Sequence, residues 1–266
     1  SNLGNRVNVF NDRSLEGTYP FVLVDAMFIK ARQDDRVVSR AVLIVTGVRH
    51  DGVREILGVR MGDSECYTTW DETFQWLKRR GLKGVYYVIS DHHSGLKDAI
   101  RKHFQGAAWQ RCQVHLMRNI MHHSPRRYRE DIMSQVKLIM HSADMREARR
   151  RLDELTEQYE SKASKAMQCL LDGFEDAMAV TALPEKYRKR LRTTNMVERL
   201  NEEVRRRERV IRIFPNDESA LRLIGALLAE KNEQWIQRRY LEMDEFNEWR
   251  DEKANNRRDK TIIELA

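Results

Sequence analysis

The run Phe21-Val-Leu-Val-Asp25-Ala-Met-Phe-Ile29 sets one carboxylate in the middle of an apolar segment long enough to be a core strand. Burying an ionised carboxylate there costs on the order of several kcal/mol unless a cation or a hydrogen-bond donor meets it. A chain with this feature must fold so that something reaches Asp25. The anomaly recurs at Asp91, which ends the apolar run Val85-Tyr-Tyr-Val-Ile-Ser-Asp91, and at Glu198, which opens the basic segment Asn195-Met-Val-Glu198-Arg-Leu-Asn-Glu-Glu-Val-Arg205. Divalent metal is one partner that answers all three. Two aspartates converging at strand ends repel and raise a pKa, whereas a pair of Mg²⁺ ions keeps both ionised and supplies the means to cleave phosphodiesters.

Ten of the twelve glycines lie before Ala107, and between Gln113 and Leu183 only Gly173 occurs, so the architecture changes along the chain. The first part reads as strands over 20–31, 39–49 and 53–62, a helix over 66–80, a strand over 84–90 and a helix over 95–104. His50-Asp-Gly52 is a hairpin turn between the second and third strands. From Val114 to Leu183, Leu and Met return at three- and four-residue steps with breaks near Pro125 and Pro184, which predicts an all-helical insertion. Helix resumes over 195–209 and 217–240, where Leu221, Ile224, Leu228 and Trp235 form a core face. The end, from Arg250 to Ala266, is charged and is expected to fray.

The charge of +7 is confined to one stretch. Between Lys186 and Arg212 eleven Lys/Arg face four Glu, and the rest of the chain is balanced. A positive field concentrated around a candidate metal ligand suits a polyphosphate partner such as nucleic acid. The alternative is a solvated helix laced with ion pairs, Glu202 with Arg206 and Glu203 with Arg207 at i,i+4 spacing. With 41% hydrophobic residues the chain is not disordered, and no apolar run approaches the roughly 18 residues of a membrane span. Cys66, Cys112 and Cys169 are odd in number and scattered, which fits a reducing, cytoplasmic compartment. The chain starts Ser1-Asn2 without Met, as a processed chain or a piece of a longer one would.

Each carboxylate has a second reading. Asp25 can be a structural aspartate bonded to backbone amides. Asp91 sits at a strand-to-helix junction, where it is either the N-cap or a ligand at the carboxyl end of a strand. Glu198 can complete a capping box begun by Asn195, although Arg205, seven residues on, shares its helix face. Cys112-Gln-Val-His115 has the spacing of half a zinc site, but no second pair completes four ligands. Asp91-His92-His93 matches the signature of a metal phosphoesterase family whose other aspartate-rich motifs are absent.

Taken together, Tyr19-Pro-Phe-Val-Leu-Val-Asp25-Ala, Val88-Ile-Ser-Asp91-His-His-Ser-Gly95-Leu-Lys, Trp109-Gln-Arg-Cys112-Gln-Val-His115-Leu-Met-Arg-Asn119 and Arg192-Thr-Thr-Asn195-Met-Val-Glu198-Arg-Leu-Asn201 resemble the Mutator-type transposases of bacterial insertion sequences. Glu203-Val-Arg205-Arg-Arg through Ile213-Phe-Pro-Asn216 extends the likeness, which runs in order from about Leu15 to Tyr240. It implies an α/β fold, an RNase H-like mixed sheet flanked by helices and interrupted by the helical insertion. The corresponding division is an N-terminal segment over 1–17, core over 18–112, insertion over 113–190, closing helices over 191–245 and a charged tail over 246–266. The resemblance places the acidic triad on Asp25, Asp91 and Glu198, its Cys-x-x-His motif on Cys112 and His115, and its basic residue on Arg205. Phe28 stands where tyrosine is common and His92 where a small residue is usual. The family carries a DNA-binding region ahead of the first aspartate, which only about twenty residues precede here.

The expected activity is that of a DDE transposase, in which the three carboxylates hold two Mg²⁺ ions, replaceable by Mn²⁺, for cleavage and strand transfer of double-stranded DNA. Arg192, Arg199, Arg205, Arg206, Arg207 and Arg209 are the expected DNA contacts. A homo-oligomer in the bacterial nucleoid is expected because transposition joins two ends. Two rivals remain: a transposase-derived DNA-binding protein without catalysis, and an RNase H-like nuclease or resolvase that cuts without joining.

Overall fold

The structure, a computed structural model, describes residues 2–264. Helix α1 (Asn2–Asp12) leads into strands β1 (Phe21–Gln33), β2 (Arg36–Val48) and β3 (Arg54–Gly62). Then come α2 (Tyr67–Arg79), β4 (Tyr87–Ser90), α3 (Ser94–His103) and β5 (Ala108–Arg111). The strands form one mixed sheet in the order β3-β2-β1-β4-β5. The first three are antiparallel neighbours, whereas β4 runs parallel to β1 and β5 parallel to β4. Local chemistry sets this pattern. Asp34 and Asp35, both at positive φ (47° and 61°), close a two-residue loop whose twist matches the hairpin of β1 and β2. At the next turn Gly52 adopts φ +84° and packs so closely that a Cβ would lie 1.8 Å from the Leu241 carbonyl oxygen. Parallel pairing needs crossovers, which α2 and α3 provide.

Alternation along β1 sorts its side chains onto two cores. Phe21, Leu23, Met27 and Ile29 pack on the side that carries the closing helices, and Val22 and Val24 pack against α2 and α3. Asp25, in phase with Leu23 and Met27, therefore faces the closing helices.

Helices α4 (Gln113–His123), α5 (Arg129–Met140), α6 (Met145–Tyr159) and α7 (Ser164–Met178) build a third core of their own around Leu116, Val136, Leu155 and Leu170. A 3-10 turn (Ala179–Ala182) and α8 (Glu185–Leu191) return the chain to the sheet. Buried Gln110 ties this region to the sheet: its amide donates to the Ala177 carbonyl at 2.6 Å, while its oxygen accepts from Val180 N–H at 2.7 Å and the Tyr87 hydroxyl at 2.9 Å. The closing helices are α9 (Asn195–Ile211), α10 (Asp217–Trp235) and α11 (Asp244–Glu264).

The structure departs from the sequence reading in several places, among them the start of β2 at Arg36 rather than 39 and the end of α10 at Trp235 rather than 240. α1 and β5 are additional elements. The fourth strand starts at Tyr87 rather than 84, because Gly84 turns at φ +70°. The charged segment from Arg250, to which the sequence reading gave no element, is helical to Glu264 as the continuation of a helix anchored by fully buried Phe246 against Phe21 and Tyr187; residues 265–266 lie outside the described residues. On α9 the ion pairs are i,i+3, Arg206 with Glu203 and Arg205 with Glu208, not i,i+4.

Candidate active site

Asp25, Asp91 and Glu198 line one cavity of about 350 Å³. The sheet brings the first two together. Leu23 of β1 pairs with Ile89 of β4, so the positions two residues further on, 25 and 91, stand level at the point where β4 has ended. Glu198 arrives from across the face, on the first turn of α9, whose Val197, Leu200 and Val204 are buried against the sheet. Asn201, one turn on, donates its amide to Asp25 Oδ2 at 2.7 Å.

The structural readings of these carboxylates separate cleanly. Asp91 caps nothing: the N-cap of α3 is His93, and Asp91 Oδ1 accepts from the His92 N–H at 2.6 Å. Glu198 belongs to no capping box, since the N-cap of α9 is Thr194 and its side chain makes no capping bond. Asp25 does take a backbone amide, that of Ala26 at 3.0 Å, but its second oxygen is held by Asn201.

The electrostatics are those of crowded acids. Burial above all, and then Glu198 and Asp91, push the Asp25 pKa up to about 7, against the opposing pull of His115 and the Ala26 amide. Burial likewise raises Glu65, at the rim of the same cavity. Glu198 has cations within reach, but from α4 rather than its own helix: His115 Nε2 at 3.3 Å and an Arg118 guanidinium nitrogen at 3.5 Å. Burial pulls the His115 pKa down, yet the Cys112 sulfur beside it, with Asp91 and Asp25, raises it to about 9. Cys112 responds in kind, its thiol held below the ordinary value by His115 despite burial.

Cys112 is the N-cap of α4, and its sulfur accepts from the Thr194 N–H at 3.4 Å and the Thr194 hydroxyl at 3.3 Å. The Cys-x-x-His motif thus joins the starts of α4 and α9 and delivers His115 to Glu198. Ligand atoms of Cys112, His115 and Glu198 lie within 4.8 Å of one another, so the half-site read in the sequence gains one carboxylate, while Cys112 is fully buried and already engaged.

The carboxylate cluster fits hard divalent cations. Glu198 Oε1 and Asn201 Oδ1 are buried without a hydrogen bond, the former because neither neighbouring cation meets it in hydrogen-bonding geometry. Oxygen donors left open among three carboxylates suit Mg²⁺ or Mn²⁺.

Of the six arginines singled out by sequence, only Arg205 lines the acidic cavity. Arg199 faces a different cavity with Arg54, Lys189 and Arg190, and Arg192 a third with Arg188 and Lys189. Arg206, Arg207 and Arg209 project from the outer turns of α9 into solvent. Phe28 is exposed, and His92 lines the acidic cavity. Asn201, Glu65 and Arg118 are the site residues that sequence reasoning missed, while His93 entered it only through the phosphoesterase-like signature Asp91-His92-His93. Asn201 alone left a signal there, its i+3 spacing from Glu198.

Among the described residues no helix is long and apolar enough to cross a membrane. Comparison with known proteins gives a consistent result. The family model described as "Transposase, Mutator family" matches residues 1–238. The transposase for insertion sequence element IS256 in transposon Tn4001 of Staphylococcus aureus is 44% identical over 243 residues, 90% of this chain and 62% of that protein. The transposase for ISRM5 of Rhizobium meliloti is 40% identical over 247 residues, 92% of this chain and 62% of its own length. That for IS1081 of Mycobacterium tuberculosis is 37% identical over 244 residues, covering 91% and 59%. The chain thus spans about three-fifths of the length of these relatives.

Proposed function

The chain belongs to the Mutator family of transposases, and from that premise we propose that it carries the catalytic centre of an insertion-sequence transposase of the DDE type, which cleaves DNA and transfers the freed end to a target. The observation that carries this reading is the convergence of Asp25, Asp91 and Glu198 on one cavity, with a buried Glu198 oxygen left unbonded. The mixed sheet order and the helical insertion between β5 and α9 support an RNase H-like core.

In this reading Asp25, Asp91 and Glu198 hold two Mg²⁺ ions, with Mn²⁺ as substitute. Held there, such ions would supply Lewis-acid polarisation of the scissile phosphate and a lowered pKa for the attacking water or 3′-hydroxyl. The chain's own residues do the rest. Asn201 fixes the Asp25 carboxylate. His115 and Arg118 offset the charge of Glu198. Arg205, exposed on the cavity wall, meets a phosphate oxygen beside the scissile bond. No side chain is required to form a covalent intermediate. Joining two element ends makes the working form a homo-oligomer, acting in the bacterial nucleoid.

The test is Mg²⁺-dependent nicking and joining of DNA by the whole protein with Asp25→Asn, Asp91→Asn and Glu198→Gln. Each is expected to abolish both reactions while DNA binding persists. Full activity in any one removes that residue from the triad. Cutting without joining in the unaltered protein makes it a nuclease instead.

A further inference from the structure

We propose that the cavity walled by Arg54, Lys189, Arg190, Arg199 and Tyr240 is a second DNA site, which takes a backbone phosphate of the duplex engaged at the acidic cavity. It rests on the reading of the chain as a DNA-handling enzyme and assigns it a contact apart from the chemistry. The cavity measures about 520 Å³, and its lining residues include four cations and no carboxylate.

These cations gather in one cavity without an acid, whereas cations such as Arg6, Arg149 and Lys186 each pair with a carboxylate, Glu233, Glu175 and Glu245. None of Arg54, Lys189, Arg190 and Arg199 makes an ion pair within 4 Å among the described residues. Aromatic faces hold two of them instead. The Arg54 guanidinium lies 4.2 Å from the ring centroid of Trp235 and 5.0 Å from that of Tyr240, and Arg190 lies 4.5 Å over Tyr240. Burial, with repulsion from Arg190 and Arg199, holds the Arg54 pKa below its ordinary value. Guanidiniums gathered without an acid repel one another, and an anion set between them removes that cost. Their planar forks suit phosphate oxygens, with Thr193 and Asn195 beside them as further polar partners.

Position selects the anion. Arg54 pairs across the sheet with Val48, and Val48 with Phe21, four residues before Asp25 and two strands away. That is about 13 Å along the strands and 10 Å across them, roughly 16 Å in all. At about 3.4 Å per base pair, a duplex covers the distance in some five base pairs, about half a helical turn. α9 is the wall between the two cavities: Glu198, Asn201, Glu202 and Arg205 face the acids, and Asn195, Met196 and Arg199 face the cations. One duplex crossing this helix meets both.

The experiment is the salt dependence of binding of the whole protein to a linear DNA duplex in EDTA, for the unaltered protein and for the double variant Arg190→Gln/Arg199→Gln, whose side chains are exposed. Arg54→Lys, which keeps charge but not the stacked fork, is a second variant. Arg149→Gln, on the far helical region, controls for loss of a cation away from this cavity. The double variant is expected to bind about tenfold more weakly, with a log-affinity against log-salt slope shallower by about 0.9 for each phosphate it no longer neutralises. Arg54→Lys is expected to weaken binding with the slope kept, and Arg149→Gln to change neither. An unchanged slope in the double variant, or an equal change in Arg149→Gln, overturns the proposal. If the unaltered protein binds DNA but never cuts it, the catalytic reading fails while the slopes still decide this site. If it binds no DNA at all, both fail.

Discussion

Asn201 reaches across from α9 to donate a hydrogen bond to the Asp25 carboxylate at 2.7 Å, joining the basic helix to the middle of the central strand. Glu198 lies one turn earlier on the same helix face, so this bond helps to hold two of the three acids in place relative to one another. Helix α9 is held from below by apolar packing and from the side by the Cys112 contact to Thr194.

Removing that amide should act on the chemistry more than on the fold. Asn201 is only half-buried, and a hydrogen bond to a charged group is worth about 1.5–3 kcal/mol, or roughly ten- to a hundredfold if it is needed only at the active site. Asn201→Ala is expected to lower the nicking rate by that factor and to raise the Mg²⁺ concentration needed for half-maximal rate, with a thermal midpoint close to that of the unaltered protein. A matched Mg²⁺ titration and melting curve check it. An unchanged rate would mean that Asp25 needs no positioning.

Asp25 also links stability to pH. Its folded pKa of about 7, against an ordinary 3.8, means that the folded chain keeps a proton which the unfolded chain has lost between those values. Stability from this group is therefore complete below pH ~4 and lost as pH rises through about 7, on the order of 2–4 kcal/mol. Asp25→Asn removes the loss. In EDTA the variant is expected to be more stable than the parent at pH 8, with the difference gone near pH 4. Mg²⁺ at pH 8 should stabilise the parent and not the variant, because the cation favours the ionised carboxylate. Denaturant unfolding at the two pH values, with and without Mg²⁺, reads the sign directly.

How much of this was open to inspection in the sequence follows from how local each signal is. Asp25 and Asp91 stand out because a charge in an apolar run is anomalous within a few residues. The partners of Glu198 could not be read that way: His115 and Arg118 sit some eighty residues earlier on another helix, and only folding brings them near. β5, four residues with two polar side chains, carries too little alternation to register. The basic stretch was legible as a unit but not as surfaces. Six residues at about 100° each turn Arg199 and Arg205 to different sides of α9, which splits one run of charge between two cavities.

The C-terminal charged segment gives a third expectation. Its single fully buried aromatic, Phe246, packs 4.7 Å from Phe21 and 5.9 Å from Tyr187, ring centroid to centroid. Its backbone N–H donates to the Tyr187 hydroxyl at 2.9 Å. Phe246→Ala should cost about 3–5 kcal/mol through reduced burial and the cavity left behind. Urea unfolding is the measure. A loss under 1 kcal/mol would mean that α11 rests on the core without anchoring to it.

The three cysteines should differ in reactivity in an order fixed by structure rather than by any one property. Cys66, at the N-cap of α2, is partly exposed, and its sulfur lies 3.2 Å from the Thr69 hydroxyl. Hydrogen bonds from Thr69, helped by Ser64 and Thr68, bring its pKa down to about 7. Burial pushes the Cys169 thiol up, so at neutral pH it offers little thiolate. Against the burial that would raise it, His115 holds the Cys112 thiol below its ordinary value, but the sulfur has no surface at all. Because the thiolate is the nucleophile and must also be reached, iodoacetamide at pH 7.5 is expected to modify Cys66 first, Cys169 slowly and Cys112 only after unfolding. Thr69→Val should slow the first reaction and move its pH midpoint upward. Peptide mapping against time separates the three, and early labelling of Cys112 would mean that the contact between α4 and α9 opens in the native state, freeing Glu198 from its place beside Asp25.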